Sequence, residues 1–331
     1  MSGAPVSGPP VSGPFIAVEL DSPAANGGQR ENPGAFGRYL EAATRLRDAG
    51  ARAITVADNP LASPRADSCI LAAAVVRETG IPVIPHLACR DRNRNALLSA
   101  LLALDLLGNR EILAVTGDPV RPEDRASVKS AASFDSVGFA RLVAGWNETL
   151  FERPFAVSGA LNVNAPNFSA ELARAERKRE AGVRRFFTQP IFSERALRNL
   201  ERAREALDAE LLAGILPVLS AKNARYLAEN VRGIGLDPGL ERRLAGADRE
   251  GAAGIAAETA AETARSALGV VAGLYLITPF RRIDIVERIL RGLGLQPEAG
   301  PVYFPHEAPE PRPSAFPVGI QLRPVHCGGL R

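Results

Sequence analysis

The chain has 331 residues, 46% hydrophobic and 23% charged, a balance that fits a globular protein and excludes a disordered one. Its formal net charge of +3, from 40 basic and 37 acidic residues, argues against a dedicated nucleic-acid binder, which carries a strong basic excess or a basic stripe. A chain of this length buries about three quarters of its unfolded surface, so its stability requires neither metal nor disulfide.

The first 14 residues repeat the unit VSGP (Val6–Pro9, Val11–Pro14) and are expected to form a disordered Gly/Pro/Ser-rich tail. With no basic stretch and no apolar core, this segment is not a signal peptide. No apolar run reaches the ~18 residues of a membrane span. Three cysteines (Cys69, Cys89, Cys327) are odd in number and far apart, so neither a disulfide framework nor a zinc pattern follows, and a reducing cytoplasm is expected.

From Phe15 onward, short apolar runs alternate with amphipathic ones. The predicted strands are Phe15–Leu20, Ala53–Ala57, Val83–Cys89, Glu111–Thr116, Phe155–Val163, Arg185–Gln189, Ala213–Val218 and Gly273–Ile277. The helices between and after them are predicted near Gly34–Asp48, Arg65–Glu78, Asn93–Leu107, Phe134–Asn147, Ala170–Glu180, Glu194–Leu207, Lys222–Asn230 and Arg282–Leu290. Two further helices, Leu240–Gly246 and Arg249–Leu268, fall between the seventh and eighth strands. Residues 296–331 are Pro-rich and predicted to be an extended tail.

Eight βα units predict an α/β (β/α)8 TIM barrel over residues 15–295, with extra helices between strands 7 and 8. No G-x-G-x-x-G follows a strand, so a doubly wound dinucleotide site is not expected.

In such a barrel the chemistry lies at the C-terminal ends of the strands. The polar residues there are Glu19, Asp58, Asn59, His86, Arg90, Asp91, Thr116, Asp118, Asn162, Asn164, Thr188, Gln189, Thr278 and Arg281. Glu19 lies among Ile16, Val18 and Leu20, where desolvation raises a carboxyl pKa and suits it to general-acid work; a structural Glu paired with an Arg is the other reading. Asp118 follows Gly117 and reads either as a ligand contact or as a turn residue. His86 reads either as a ligand contact or as a satisfied core histidine, and an isolated histidine favours the core reading. Gln189 offers one donor and one acceptor to a ring edge. Lys178 lies in a charged helical run and reads as part of a solvated face.

The segments AVELDSP (Ala17–Pro23), TVADNP (Thr55–Pro60), PHLACRDRN (Pro85–Asn93), ILAVTGDP (Ile112–Pro119), GALNVN (Gly159–Asn164), ERKREAGVRRFFTQPIF (Glu176–Phe192), GILPVLSAKNARYL (Gly214–Leu227) and LYLITPFRR (Leu274–Arg282) together resemble the methylenetetrahydrofolate reductase family. The likeness is closest to the reductase half of bacterial proteins that join a homocysteine S-methyltransferase to this enzyme. The resemblance implies a TIM barrel that reduces 5,10-methylenetetrahydrofolate to 5-methyltetrahydrofolate with NADH or NADPH, through bound FAD. Some members pass hydride directly from NADH without flavin.

By resemblance, Glu19 is the acid that helps open the folate's five-membered ring, Asp118 lies near flavin and pterin, and Gln189 contacts the folate. His86, Asp118, Asn162, Glu171 and Lys178 are implied cofactor contacts, and Arg281 an implied contact of the folate's glutamate tail. The chain departs from better-known members at Thr116, where an Arg contacts phosphate, at Leu161 (Tyr), at Ala57 (Thr) and near Ala221 (an aromatic). Because the methyltransferase half is missing, a separate homocysteine methyltransferase is a candidate partner, and the family implies a homo-oligomer. Two other readings stand beside the reductase: a non-catalytic folate- or flavin-binding subunit, and a reductase recruited to another iminium.

Overall fold

A computed structural model describes residues 13–23, 34–126, 128–131, 134–230 and 236–294. Nearly all of the VSGP segment, and the Pro-rich segment with His306, His326 and Cys327, lie outside the described residues. Strands and helices alternate as β1 (Phe15–Glu19), α1 (Ala35–Asp48), β2 (Ala53–Val56), α2 (Ser68–Thr79), β3 (Val83–Ala88), α3 (Arg94–Leu106), β4 (Glu111–Val115), α4 (Ser136–Thr149), β5 (Ala156–Leu161), α5 (Phe168–Glu180), β6 (Val183–Pro190), α6 (Glu194–Ala206) and β7 (Glu210–Ile215). The chain continues with α7 (Ala221–Asn230), α8 (Pro238–Ala245), α9 (Arg249–Leu268), β8 (Gly273–Ile277) and α10 (Ile283–Gly292). All neighbouring strands pair in parallel and β8 closes onto β1, giving the eight-stranded barrel that the βα alternation predicts.

Side-chain alternation divides the apolar residues into two cores. Ile16, Val18, Ile54, Val56, Leu87, Ile112, Phe186, Leu211, Leu274 and Leu276 point outward and join the helices in one continuous cluster. Ala17, Ala53, Ile84, Leu113, Phe187, Leu212 and Tyr275 point inward and fill the barrel, with Phe187 and Tyr275 edge to face at 5.0 Å. The lower end is shut by Phe15, whose ring lies under the Arg185 guanidinium at 4.6 Å, and Arg185 also pairs with Glu111 and Glu210. The interior is therefore plugged below by Phe15 and the Arg185 ion pairs, and the polar residues at its upper, C-terminal end face the open mouth.

Capping residues explain most of the shifted helix boundaries. The helix predicted from Arg65 starts at Ser68 because the Asp67 carboxylate accepts from the Cys69 and Ile70 amides. The one predicted from Phe134 starts at Ser136, after Asp135 caps Val137 and Gly138. Strand seven occupies Glu210–Ile215, where the prediction was Ala213–Val218. Leu211 and Leu212 supply the outward and inward residues there, and Pro217 has no amide hydrogen to continue the ladder.

The helices predicted between strands seven and eight are present as α8 and α9. The buried face of α9 is built from alanines, Ala252 to Ala267, and it packs on α10 and β7. Cys69 and Cys89 are buried, and desolvation pushes both thiols up to about 12, so they act as small apolar side chains. No described helix is long and apolar enough to cross a membrane.

Candidate active site

Glu19 is the last residue of β1, in register with Thr55 of β2 and Ile277 of β8. Alternation turns its side chain into the barrel above Ala17. The Tyr275 hydroxyl donates to Glu19 Oε2, and His86 Nε2 lies 3.9 Å from the same oxygen. Burial raises the Glu19 pKa to about 7; the Tyr275 hydrogen bond opposes the rise and the neighbouring charge of Asp21 adds to it. Burial also pushes the Tyr275 phenol well above its usual value, so Tyr275 is a donor at any working pH.

His86 is inward-facing on β3, and burial lowers its pKa to about 3, so it is neutral and forms no ion pair with Glu19. Its Nε2 is buried and has no hydrogen-bond partner among the described residues. A buried polar atom without a partner is costly in a finished core, and this one lies on the inward side of β3 beside Glu19.

Asp118 follows β4 through Gly117, whose φ of 90° favours glycine. A Cβ at Gly117 would lie 2.9 Å from Arg90 Cβ. Arg90 donates to the Asp118 carbonyl at 2.6 Å, and the Leu61 amide donates to Asp118 Oδ2, also at 2.6 Å. The side chain of Asp118 is therefore exposed at the mouth but already engaged. Gln189 lies on β6 where the pairing with β7 shifts register between Phe187 and Pro190. Thr188 braces this bulge: its hydroxyl donates to the Gln189 carbonyl and accepts from the Gly214 amide. Such irregularities re-aim a side chain, and Gln189 is exposed at the mouth.

The residues assigned to the cofactor on β5 and α5 form one cluster. Lys178 is buried, correcting the solvated-face reading, and its Nζ donates to the Ala160 carbonyl at 2.6 Å. Burial brings the Lys178 pKa down to about 8, against an opposing pull from Glu171. Glu171 Oε1 accepts from the Asn162 amide at 3.0 Å, and Asn162 itself turns back to accept from the Asn164 amide.

Sequence reasoning missed Arg174, one helical turn before Lys178. Its guanidinium reaches Thr116 Oγ1 at 3.3 Å, the position at which better-known members carry arginine. The spacing of four between Arg174 and Lys178 was the available signal, since it places both on one helix face. Tyr275 was missed too, because within the run LYLI it reads as an ordinary strand residue.

Arg281 and Arg65 reach from opposite sides to the same acceptor, the Ser22 carbonyl, at 3.1 and 3.2 Å. Burial raises the Asp21 pKa while the positive charges of Arg65 and Arg281 hold it down. Among the described residues the non-glycine positions with positive φ are Asn59, Leu61, Ala62, Phe280 and Arg281, all in the 3₁₀ turns that follow β2 and β8 or immediately before one. Left-handed backbone costs an L-residue about 1–2 kcal/mol, and such strain gathers at functional sites. No group of His, Cys, Asp or Glu among the described residues is arranged to hold a metal ion.

Residues 22–294 match the family model for methylenetetrahydrofolate reductase. The chain belongs to the methylenetetrahydrofolate reductase family. Within that family it is 32% identical over 164 residues to the 5,10-methylenetetrahydrofolate reductase of Salmonella typhimurium, covering 48% of this chain and 52% of that one. It is 33% identical over 160 residues to the Escherichia coli enzyme of the same name, covering 46% of this chain and 51% of that one. The chain thus spans about half the length of the curated relatives it matches. An uncharacterized protein from Clostridium thermocellum, described as binding two copies of 5-methyl-5,6,7,8-tetrahydrofolic acid, superposes with a TM-score of 0.61 over 85% of this chain and 95% of that one. At 13% identity that likeness shows the fold alone. One family departure is placed by the structure: Leu161 is fully buried in the outer core, on the side of β5 that faces the helices.

Proposed function

We propose that this chain reduces 5,10-methylenetetrahydrofolate to 5-methyltetrahydrofolate with electrons from NADH or NADPH, by way of FAD. The observation that carries the reading is Glu19, a buried carboxyl with a pKa near 7 held by Tyr275 at the open end of a barrel of this family. Hydride can add to the folate only after its five-membered ring opens to an iminium, and opening needs a proton on a ring nitrogen. Below pH 7 Glu19 is mostly protonated and can donate it. Gln189 offers its amide to the ring edge, and Asp118 places a carboxylate at the same mouth.

The residues fit an anionic, flat cofactor. Lys178 and Arg174 bring two cations to one face of α5, and His86 Nε2 is a buried polar atom with no partner. Lys178, Arg174, Asn162, Glu171 and His86 would hold FAD. When bound, the flavin supplies the relay of a hydride from nicotinamide to folate.

The test is NADH or NADPH oxidation that depends on methylenetetrahydrofolate, measured with and without added FAD. A folded chain that shows no substrate-dependent oxidation in either case overturns the reading. Two variants extend the test. Because kcat/KM needs protonated Glu19, it should fall about tenfold per pH unit above 7. Tyr275→Phe removes a hydrogen bond that favours the carboxylate, so this limb should move to higher pH; a limb that stays in place or moves down contradicts the assignment. Arg174→Ala should weaken FAD about 10- to 150-fold, the range expected for a lost charge-assisted hydrogen bond, read as flavin retained after gel filtration and by titration. Undiminished affinity would remove Arg174 from the cofactor site.

A further inference from the structure

We propose that Arg90 is the positioning residue of Asp118, at the centre of a hydrogen-bonded ring that ties together the turns after β2, β3 and β4. The inference rests on the reading above, in which Asp118 serves the reaction at the barrel mouth.

The ring can be followed atom by atom. Arg90 Nη1 donates to the Asp118 carbonyl at 2.6 Å. Arg90 Nε donates to Asp91 Oδ1 at 2.7 Å, and Nη2 donates to Asp91 Oδ2. The same Asp91 Oδ2 accepts from the Asn59 side-chain amide at 3.1 Å. Two residues further on, the Leu61 amide donates to Asp118 Oδ2 at 2.6 Å and closes the circuit. β2, β3 and β4 stand side by side in the barrel, and the turn after each supplies one part.

The side chains are suited to their places. Asn59 donates to Asp91 while its Oδ1 accepts from the Arg65 amide at 2.9 Å; a side-chain amide does both, and a carboxylate could not. Arg90 uses three nitrogens at once, two of them on one carboxylate, and a lysine ammonium has no such fork. Arg90 also holds the Asp91 carboxyl below its usual pKa, so the pair stays ionised.

Arg90 is only 6% exposed. A buried ion pair adds little stability over apolar packing of the same shape, so its gain here is geometric. Asp118 needs such help. It lies past the end of β4 at Val115, after the left-handed Gly117 and before Pro119, which has no amide hydrogen to donate. The strain at Leu61, φ 54°, accompanies the amide that holds the Asp118 carboxylate. Asp118 thus stays exposed at the mouth while its main chain and one carboxylate oxygen are both held.

The test compares Arg90→Lys and Asn59→Asp, which open the ring from opposite sides, with Arg77→Lys as control. Arg77 pairs with its neighbour Glu78 on the exposed face of α2. Melting temperatures verify the fold, and Asn59→Asp decides where Arg90→Lys proves too unstable. Amide hydrogen exchange at Leu61 reads the ring without reference to activity. It should quicken about tenfold or more in either ring variant and stay unchanged in the control. In substrate-dependent NAD(P)H oxidation, Arg90→Lys should lower kcat about 10- to 100-fold, the scale of a group displaced by about 1 Å, with little change in KM. In an Asp118→Asn background the same substitution should cost less than about threefold, because no carboxylate remains to be misplaced. Unchanged Leu61 exchange in both ring variants overturns the ring. Equal losses of kcat in the two backgrounds overturn the positioning role, since Arg90 would then act on the fold at large. A wild type without substrate-dependent oxidation overturns the functional reading, and with it the role of Arg90 in catalysis, while exchange at Leu61 still decides the ring.

Discussion

Glu19→Gln is expected to lower kcat/KM for methylenetetrahydrofolate-dependent NAD(P)H oxidation by about 10²- to 10⁴-fold at pH 6–7, the usual contribution of a positioned general acid. Glutamine keeps the shape of the side chain and still offers an oxygen to the Tyr275 hydroxyl, so the packing around Tyr275 and Phe187 has no reason to change. What it lacks is a proton to give to a ring nitrogen. The deficit should therefore depend on pH in a definite sense. Wild-type Glu19 itself loses its proton as pH rises through about 7, so the gap between wild type and variant should narrow toward pH 9. Steady-state kinetics across this range, with melting temperature as the fold control, decide the matter. Activity within threefold of wild type at pH 6 would mean that Glu19 is not the acid.

Gly214→Ala is expected to destabilise the protein by about 1–3 kcal/mol, the usual scale of overpacking in a closed core. A Cβ at this position on β7 would lie 2.4 Å from the Thr188 carbonyl oxygen and 2.9 Å from the Gln189 carbonyl carbon, both backbone atoms. Neither can rotate away as a side chain would, so the β6 bulge itself must shift. For a domain of this size the melting temperature should fall by about 2–4 °C for each kcal/mol lost. Because the bulge aims Gln189, KM for the folate should rise in the same variant. Gly37→Ala on α1 is the internal comparison: nothing lies within 4 Å of its added Cβ, and replacing helical glycine should raise stability by about 0.4–1 kcal/mol. Equal melting behaviour of the two variants would contradict the account of the bulge.

The barrel was legible in the sequence because each strand is a short apolar run bounded by polar or turn residues, and helix periods lie between them. The residues at the strand ends were legible for the same reason, since Glu19, Asp118 and Gln189 interrupt or follow apolar runs. What could not be read was the facing of each side chain once the sheet closed. Tyr275 and Leu276 are adjacent and both apolar in pattern, yet one enters the barrel to hold Glu19 and the other joins the helix layer. Lys178 reads as solvated because Arg174, Glu176, Arg177, Arg179 and Glu180 surround it in sequence. Only the packing of α5 on β5 shows that its ammonium lies beneath the wall at Ala160. The strained turns at Leu61 and Phe280 were equally hidden: both follow Pro in a loop, and no local rule asks for positive φ at either.

The alanine face of α9 bears on how this part of the molecule can change over time. A side chain of one carbon is already near its lower limit, so that face has little room to shrink and any enlargement pushes α9 away from α10 and β7. Variation in the segment is thereby directed to the opposite face, where Glu258, Glu262 and Arg265 meet solvent. The stretch between the seventh and eighth strands can acquire a new outer character, and with it new neighbours, while the eight strands that carry Glu19 and its companions keep their register.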